Sequence, residues 1–186
     1  MDKALIEKLK HSTPTFAEIR EFEDADDELR EIASHIKRTT QHNEYIEPER
    51  IKFLYTDKPK KDGGRYTLFD LIKRSNMEKM IAGEFDFILT VFYPVWKDLE
   101  PEQKVISLDK ALCAIDMGDM EKQKIGKKSP DSKEFTSNMR YYGADTVMKT
   151  SEIIDLAVQR IIDERKEAQK EAKAKNKKGK KSEEFA

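Results

Sequence analysis

Leu5, Ile6 and Leu9 fall on one face of a helix predicted over residues 2–11, which Ser12-Thr13-Pro14 breaks. A second apolar stripe, Phe16, Ile19, Phe22, Leu29, Ile32 and Ile36, is spaced near three, four and seven. With Thr15 and Glu18 placed as a capping box, it predicts a helix running to about Arg38. The acidic run at 23–28 interrupts this stripe as a break or an exposed bulge. Residues 39–50 are polar, contain Pro48 and read as a connection. Ile51 to Thr56 has β-type residues between turn signals and predicts a strand. Residues 57–64, DKPKKDGG, form a turn that could join it as a hairpin to the extended stretch 65–69.

Residues 70–82 look helical and end at Gly83. The run FDFILTVF at 85–92 is nearly all apolar, which predicts a strand in the middle of a sheet. Residues 93–96 turn out of it. Pro101 opens a helix over 101–117 through Val105, Ile106, Leu108, Leu112 and Ile115, ending near Gly118. A Lys-rich loop covers 122–131, and a short helix at 132–142 stops at Gly143. The last helix opens at Asp145 or Thr146 and carries Ile153, Ile154, Leu156, Ala157, Val158, Ile161 and Ile162. Its stripe vanishes after Asp163, so the remainder is expected to fray or be disordered.

Helices combined with a small mixed sheet give an α+β class. The expected division is an N-terminal helical segment at 1–48, an α+β domain at 49–164 and a basic tail at 165–186. With 186 residues the chain suits one compact domain plus tails, or at most two small ones. Only 37% of it is hydrophobic, so part must be solvated, yet nine Phe, six Tyr and one Trp are too many for a wholly disordered chain. A single Cys excludes a disulfide framework and a Cys-rich zinc module. The N-terminus lacks the apolar core of a signal peptide, and no apolar run reaches the length that spans a bilayer. The expectation is a soluble cytoplasmic protein without membrane contact.

The net charge of −1 conceals opposite ends. Residues 18–31 hold eight acids against Arg20 and Arg30, a net of −6, while 165–181 hold nine bases against two acids, a net of +7. Such blocks are either solvated faces or partner-binding surfaces. The acidic candidates for a partner are Glu21, Glu23, Asp24, Asp26 and Asp27. The basic candidates for nucleic acid are Lys170, Lys173, Lys175, Lys177, Lys178, Lys180 and Lys181, with Lys122, Lys124, Lys127 and Lys128 as possible additions. Lysines reach phosphates without reading sequence, and the tail lacks the aromatics that stack on single strands. Binding there is expected to be weak and salt-sensitive.

Catalytic motifs are missing. His11, His35 and His42 have no second His one helical turn away, and there is no H-E-x-x-H, P-loop or G-x-G-x-x-G. Gly63-Gly64 reads as a turn. Cys113 sits on an apolar helix, where a free thiol usually packs as a small hydrophobe. Asp109, Cys113 and Asp116, spaced i, i+4 and i+7, could project together and ligate a divalent metal, although zinc sites rarely lack a His or a second Cys. No cofactor is expected.

Residues 50–146 resemble the putative phage metallopeptidases. The resemblance runs through Asp86-Phe87-Ile88-Leu89, Val95-Trp96-Lys97-Asp98-Leu99, Glu102-Gln103-Lys104, the helix Leu108-Asp109-Lys110-Ala111-Leu112-Cys113-Ala114, then Asp131-Ser132-Lys133-Glu134-Phe135 and Tyr142-Gly143. It implies a zincin-like fold whose helix carries His-Glu-Leu-Cys-His, two His binding zinc and the Glu activating a water. In this chain Lys110 stands at the first His position, Ala111 at the Glu and Ala114 at the second His, while Leu112 and Cys113 are kept. A family His also tends to precede the Asp-x-x-Glu-Phe segment, where this chain has Ser129-Pro130. The resemblance therefore implies a pseudo-metallopeptidase, since an ammonium has no lone pair for a metal.

If the fold persists without its chemistry, binding is the remaining task. The leading expectation is a non-enzymatic phage or mobile-element protein that inhibits or redirects a host factor, with a nucleic-acid-processing defence enzyme as the first target to test, in the manner of an anti-CRISPR. Its acidic segment could compete for a positively charged channel. The alternatives are a nucleic-acid binder using the basic tail and a metal-dependent hydrolase with a rebuilt site. With Ala111 and Ala114 in place of polar ligands, the zincin cleft wall would become less polar and could serve as a docking groove.

Overall fold

The structure, a computed structural model, describes residues 3–12, 14–16, 19, 21–62, 64–83, 85–116, 126–129 and 134–183. In chain order, α1 (Lys3–Ser12) leads to strand β1 (Phe22–Asp24) and helix α2 (Asp26–Thr39). Single 3-10 turns at Gln41–Asn43 and Pro48–Arg50 connect to β2 (Ile51–Thr56). The hairpin β3 (Lys60–Asp62) and β4 (Arg65–Thr67) is followed by β5 (Phe69–Lys73), α3 (Asn76–Ala82) and β6 (Phe87–Phe92). Then come α4 (Tyr93–Trp96), α5 (Pro101–Cys113), the paired short strands β7 (Ile115–Asp116) and β8 (Gly126–Lys127), α6 (Thr136–Tyr142) and α7 (Ala144–Glu183). The class is α+β.

The main sheet has the order β1-β2-β6-β5. β2 and β6 run parallel, Phe53 opposite Leu89, while β1 and β5 close the edges antiparallel. The all-apolar run therefore lies at the centre, as its composition predicted. One core joins both faces of the sheet to the helices: Phe53, Tyr55, Phe87, Phe92 and Trp96 are fully buried, each side chain contributing about 1.5–3 kcal/mol. Leu5, Leu9, Leu29, Ile32 and Ile36 belong to this same core, and β1 belongs to the sheet. Residues 1–48 thus share the core of the domain they were expected to precede.

A buried polar knot ties four elements together. Glu28 on α2 accepts from Tyr55 Oη, from Trp96 Nε1 at 3.1 Å and from Lys104 Nζ at 3.0 Å. Burial, followed by the charge of Glu28, drives the Tyr55 phenol far above its ordinary range, so it stays a donor.

Three expectations are corrected by tertiary pairing. The helix expected from Thr15 to Arg38 begins only at Asp26, because Phe22–Asp24 pair with β2. The acidic run that interrupts the stripe is this strand together with the first helical turn, where Asp26, Asp27 and Glu28 complement the macrodipole. Glu18, half of the expected capping box, lies outside the described residues. Residues 70–82 are not one helix: β5 takes the open side of β6, and the helix starts at Ser75, whose Oγ accepts from Glu78 N while Glu78 returns a bond to Ser75 N. α5 ends at Cys113 rather than near Gly118, because Ile115 and Asp116 pair with Lys127 and Gly126.

The hairpin expected to join 51–56 to 65–69 does not form either, since β2 pairs with β1 and β6 while β4 pairs with β3, and the helix expected over 132–142 begins at Thr136.

Other local signals hold. Pro101 occupies the first turn of α5, whose capping box is Glu100 with Gln103. Gly143 stops α6 with φ +89°, a backbone that residues with a Cβ rarely adopt. Where loss of structure was expected after Asp163, the backbone stays helical to Glu183. Packing stops sooner: Arg165 still bonds Asp57 O and Oδ1 at 2.7 and 2.6 Å, whereas residues 166–173 are exposed.

Candidate functional site

Helix α5 presents two chemically different faces. Ile106, Ser107, Lys110, Ala111 and Ala114 line a cleft of about 480 Å³, bounded across from them by β5 and the β3–β4 hairpin and on a third side by α7 through Thr150, Ser151 and Ile154. All three positions that the resemblance singles out, Lys110, Ala111 and Ala114, therefore face one space. β5 is an edge strand, and Lys127 Nζ donates to Leu71 O on it at 2.9 Å. Lys127 and Lys128 also line the cleft, with Lys128 donating to Tyr45 Oη at 2.9 Å; Lys122 and Lys124 lie outside the described residues.

Lys110 Nζ sits 2.8 Å from Glu134 Oε1 and donates to Ser151 Oγ at 3.2 Å. Glu134 is buried, 2% exposed, so the cation is paired with a carboxylate that water barely reaches. An ammonium thus stands where the resemblance puts a zinc ligand, already satisfied by an acid. Ala111 and Ala114 offer no lone pairs at all. These residues do not fit a zinc ion in the cleft.

The interior face carries Asp109 and Cys113. Asp109 is fully buried and receives a dense set of donors: His42 Nε2 at 3.0 and 3.1 Å, Asn43 Nδ2 at 2.5 Å, Asn138 Nδ2 at 3.0 Å and the Tyr142 phenol. Asn43 Nδ2 also lies 3.5 Å from Cys113 Sγ. Burial pulls the His42 pKa down, but its hydrogen bonds to Asp109 and Cys113 and their charges outweigh this and push it up to about 9. The imidazolium therefore persists at neutral pH as the counter-ion of Asp109. Burial and the Asp109 charge raise the Tyr142 phenol in turn.

Of the trio Asp109, Cys113 and Asp116, the fold brings together the first two. Asp116 lies beyond the end of α5, exposed on β7. The third member of the cluster is His42, on the 3-10 turn after α2, which spacing along the chain could not reveal across 67 residues. Cys113 is buried beside His42, whose Nε2 is bonded to Asp109, and burial keeps the thiol from a substrate.

The acidic candidates divide as well. Asp24 and Asp26 each lie 2.6 Å from Lys52 Nζ, and Asp26 also meets Arg30 and accepts from Phe53 N. They fasten β1 and α2 to β2. Glu21 and Asp27 are exposed and Glu23 half-buried, at the sheet edge opposite the cleft. In the tail, Lys170 and Lys173 are exposed on α7; the side chains of Lys175, Lys177, Lys178, Lys180 and Lys181 lie outside the described residues. Among the described residues no helix is long and apolar enough to cross a membrane.

These observations define an α+β domain with a cleft walled by α5, β5, the β3–β4 hairpin and α7. The family model described as putative phage metallopeptidase matches residues 20–175, and the chain belongs to that family. No curated protein and no solved structure gives a significant match.

Proposed function

We propose that this family member does not hydrolyse peptides and instead binds a host protein in the cleft of α5, inhibiting or redirecting it. The observation carrying this reading is the Lys110–Glu134 ion pair. It fills the position of a metal ligand with a cation that has its own anion, and Ala111 stands where the resemblance puts the water-activating Glu. The cleft itself remains, with apolar Ile106, Ala111, Ala114, Leu71 and Ile154 in a lining whose residues are more than half polar and include both lysines and aspartates, suited to a polypeptide segment with charged as well as apolar side chains. The exposed acids at the opposite sheet edge supply a second surface, suited to a basic partner such as a nucleic-acid-processing enzyme.

Ala114→Arg tests the proposal, because a guanidinium in the cleft wall blocks an occupant. In affinity purification from phage-infected host lysate, the unaltered chain is expected to retain a stoichiometric host protein that Ala114→Arg loses while keeping its circular dichroism spectrum. Equal capture by both chains, or metal-dependent peptide cleavage by the purified protein, overturns the reading.

A further inference from the structure

We propose that His42, Asp109 and Cys113 form a structural zinc site on the face of α5 that does not line the cleft. The imidazole nitrogen, one carboxylate oxygen and the thiol sulfur lie within 4.8 Å of one another. Tetrahedral zinc, with bonds of about 2.0–2.3 Å, needs ligand separations of roughly 3.3–3.8 Å, so the His42–Asp109 separation of 3.0 Å opens slightly and the longest separation closes by up to about 1 Å. Imidazole with thiolate is a donor pair that favours zinc over the hard cations magnesium and calcium.

A second observation points the same way. Asn43 and Asn138 are both fully buried, both aim their amide nitrogens at Asp109, and both leave Oδ1 without a hydrogen-bond partner. Buried amide oxygens are seldom left in this state. A positive ion between Asp109 and Cys113 reverses the preference of both amides: the oxygens turn toward the ion and the nitrogens take the outer positions. Zinc replaces the proton that His42 shares with Asp109. The ligands come from the 41–43 turn and from α5, with Asn138 on α6 behind them, so the ion clamps three elements. Asp109 and Cys113 are buried, and the unpartnered Oδ1 of Asn43 or Asn138 would complete four-coordination, which makes the site structural.

The chain has one cysteine, so a thiolate-to-metal signal can arise only from Cys113. Full-length protein stripped with a chelator is titrated with cobalt(II), followed by zinc(II) displacement. One equivalent of cobalt is expected to bind with a thiolate charge-transfer band that zinc abolishes. His42→Ala is expected to weaken binding roughly tenfold or more, and Asp116→Asn to leave it unchanged. Absence of the thiolate band from the unaltered folded protein overturns the proposal, whatever the variants do. Undiminished affinity in His42→Ala, or a band that survives unfolding in urea, overturns it too. None of these outcomes bears on cleft binding, which Ala114→Arg tests separately.

Discussion

Replacing Lys110 by Met removes a charge while keeping most of the side-chain volume, so it isolates the electrostatic role of the ammonium. At 2.8 Å the Lys110–Glu134 attraction is about 6 kcal/mol at an effective dielectric constant near 20, before desolvation is subtracted. Exposed pairs net about 0–1 kcal/mol, whereas removing one partner of a buried pair costs about 3–5 kcal/mol. This pair lies between those limits: Glu134 is 2% exposed and Lys110 36%. We expect Lys110→Met to cost about 2 kcal/mol, lowering Tm by about 4–8 °C for a chain of this size. Glu134→Gln in the same chain should recover much of the loss, because the buried carboxylate no longer lacks this counter-charge, and the cycle should give a coupling of about 1–2 kcal/mol. Denaturant unfolding of the four chains at neutral pH measures all of this. A Lys110→Met chain within about 0.5 kcal/mol of the unaltered protein would refute the reasoning, since the pair would then be an ordinary surface bridge.

Two other perturbations test the scaffold. Glu28→Ala takes the carboxylate from the knot it forms with Tyr55, Trp96 and buried Lys104, and should cost about 3–5 kcal/mol in denaturant unfolding, against about 1 kcal/mol for Tyr55→Phe; equal losses would contradict the assignment of Lys104's charge to Glu28. The Asp24–Lys52 bridge should be confined to a pH window. For both groups burial is the largest single influence and acts against the charged form, but their hydrogen bonds and the neighbouring charges together, Asp26 included, outweigh it, holding the Asp24 carboxyl below its ordinary 3.8 and the Lys52 ammonium above its ordinary 10.5. The Asp24 contribution is therefore present above 3.8 and lost as the pH falls through its lower folded value; the Lys52 contribution is present below 10.5 and lost as the pH rises through its higher folded value. Hydrogen exchange of β1 amides, compared with Asp24→Asn, should show protection that differs between the two chains inside this window and converges on the acid side.

Much of the architecture was legible along the chain because its causes are local. The nearly all-apolar composition of Phe87–Phe92 already predicts a central strand, and this strand is central. Pro101 places the start of α5, and Gly143 supplies the positive φ that ends α6. The three substitutions at 110, 111 and 114 were readable only through the resemblance; that they line one space follows from their places within about one helical turn. What the tertiary structure decided depends on partners distant in sequence. Helical patterning yielded wherever a strand edge needed covering, so Phe22–Asp24 and Phe69–Lys73 became the edges of the sheet. Glu134, the anion beside Lys110, is 24 residues further along the chain, and His42, the cation beside Asp109, comes 67 residues earlier. A buried charge needs its counter-charge within a few ångströms in space, a condition that periodicity along the chain does not encode.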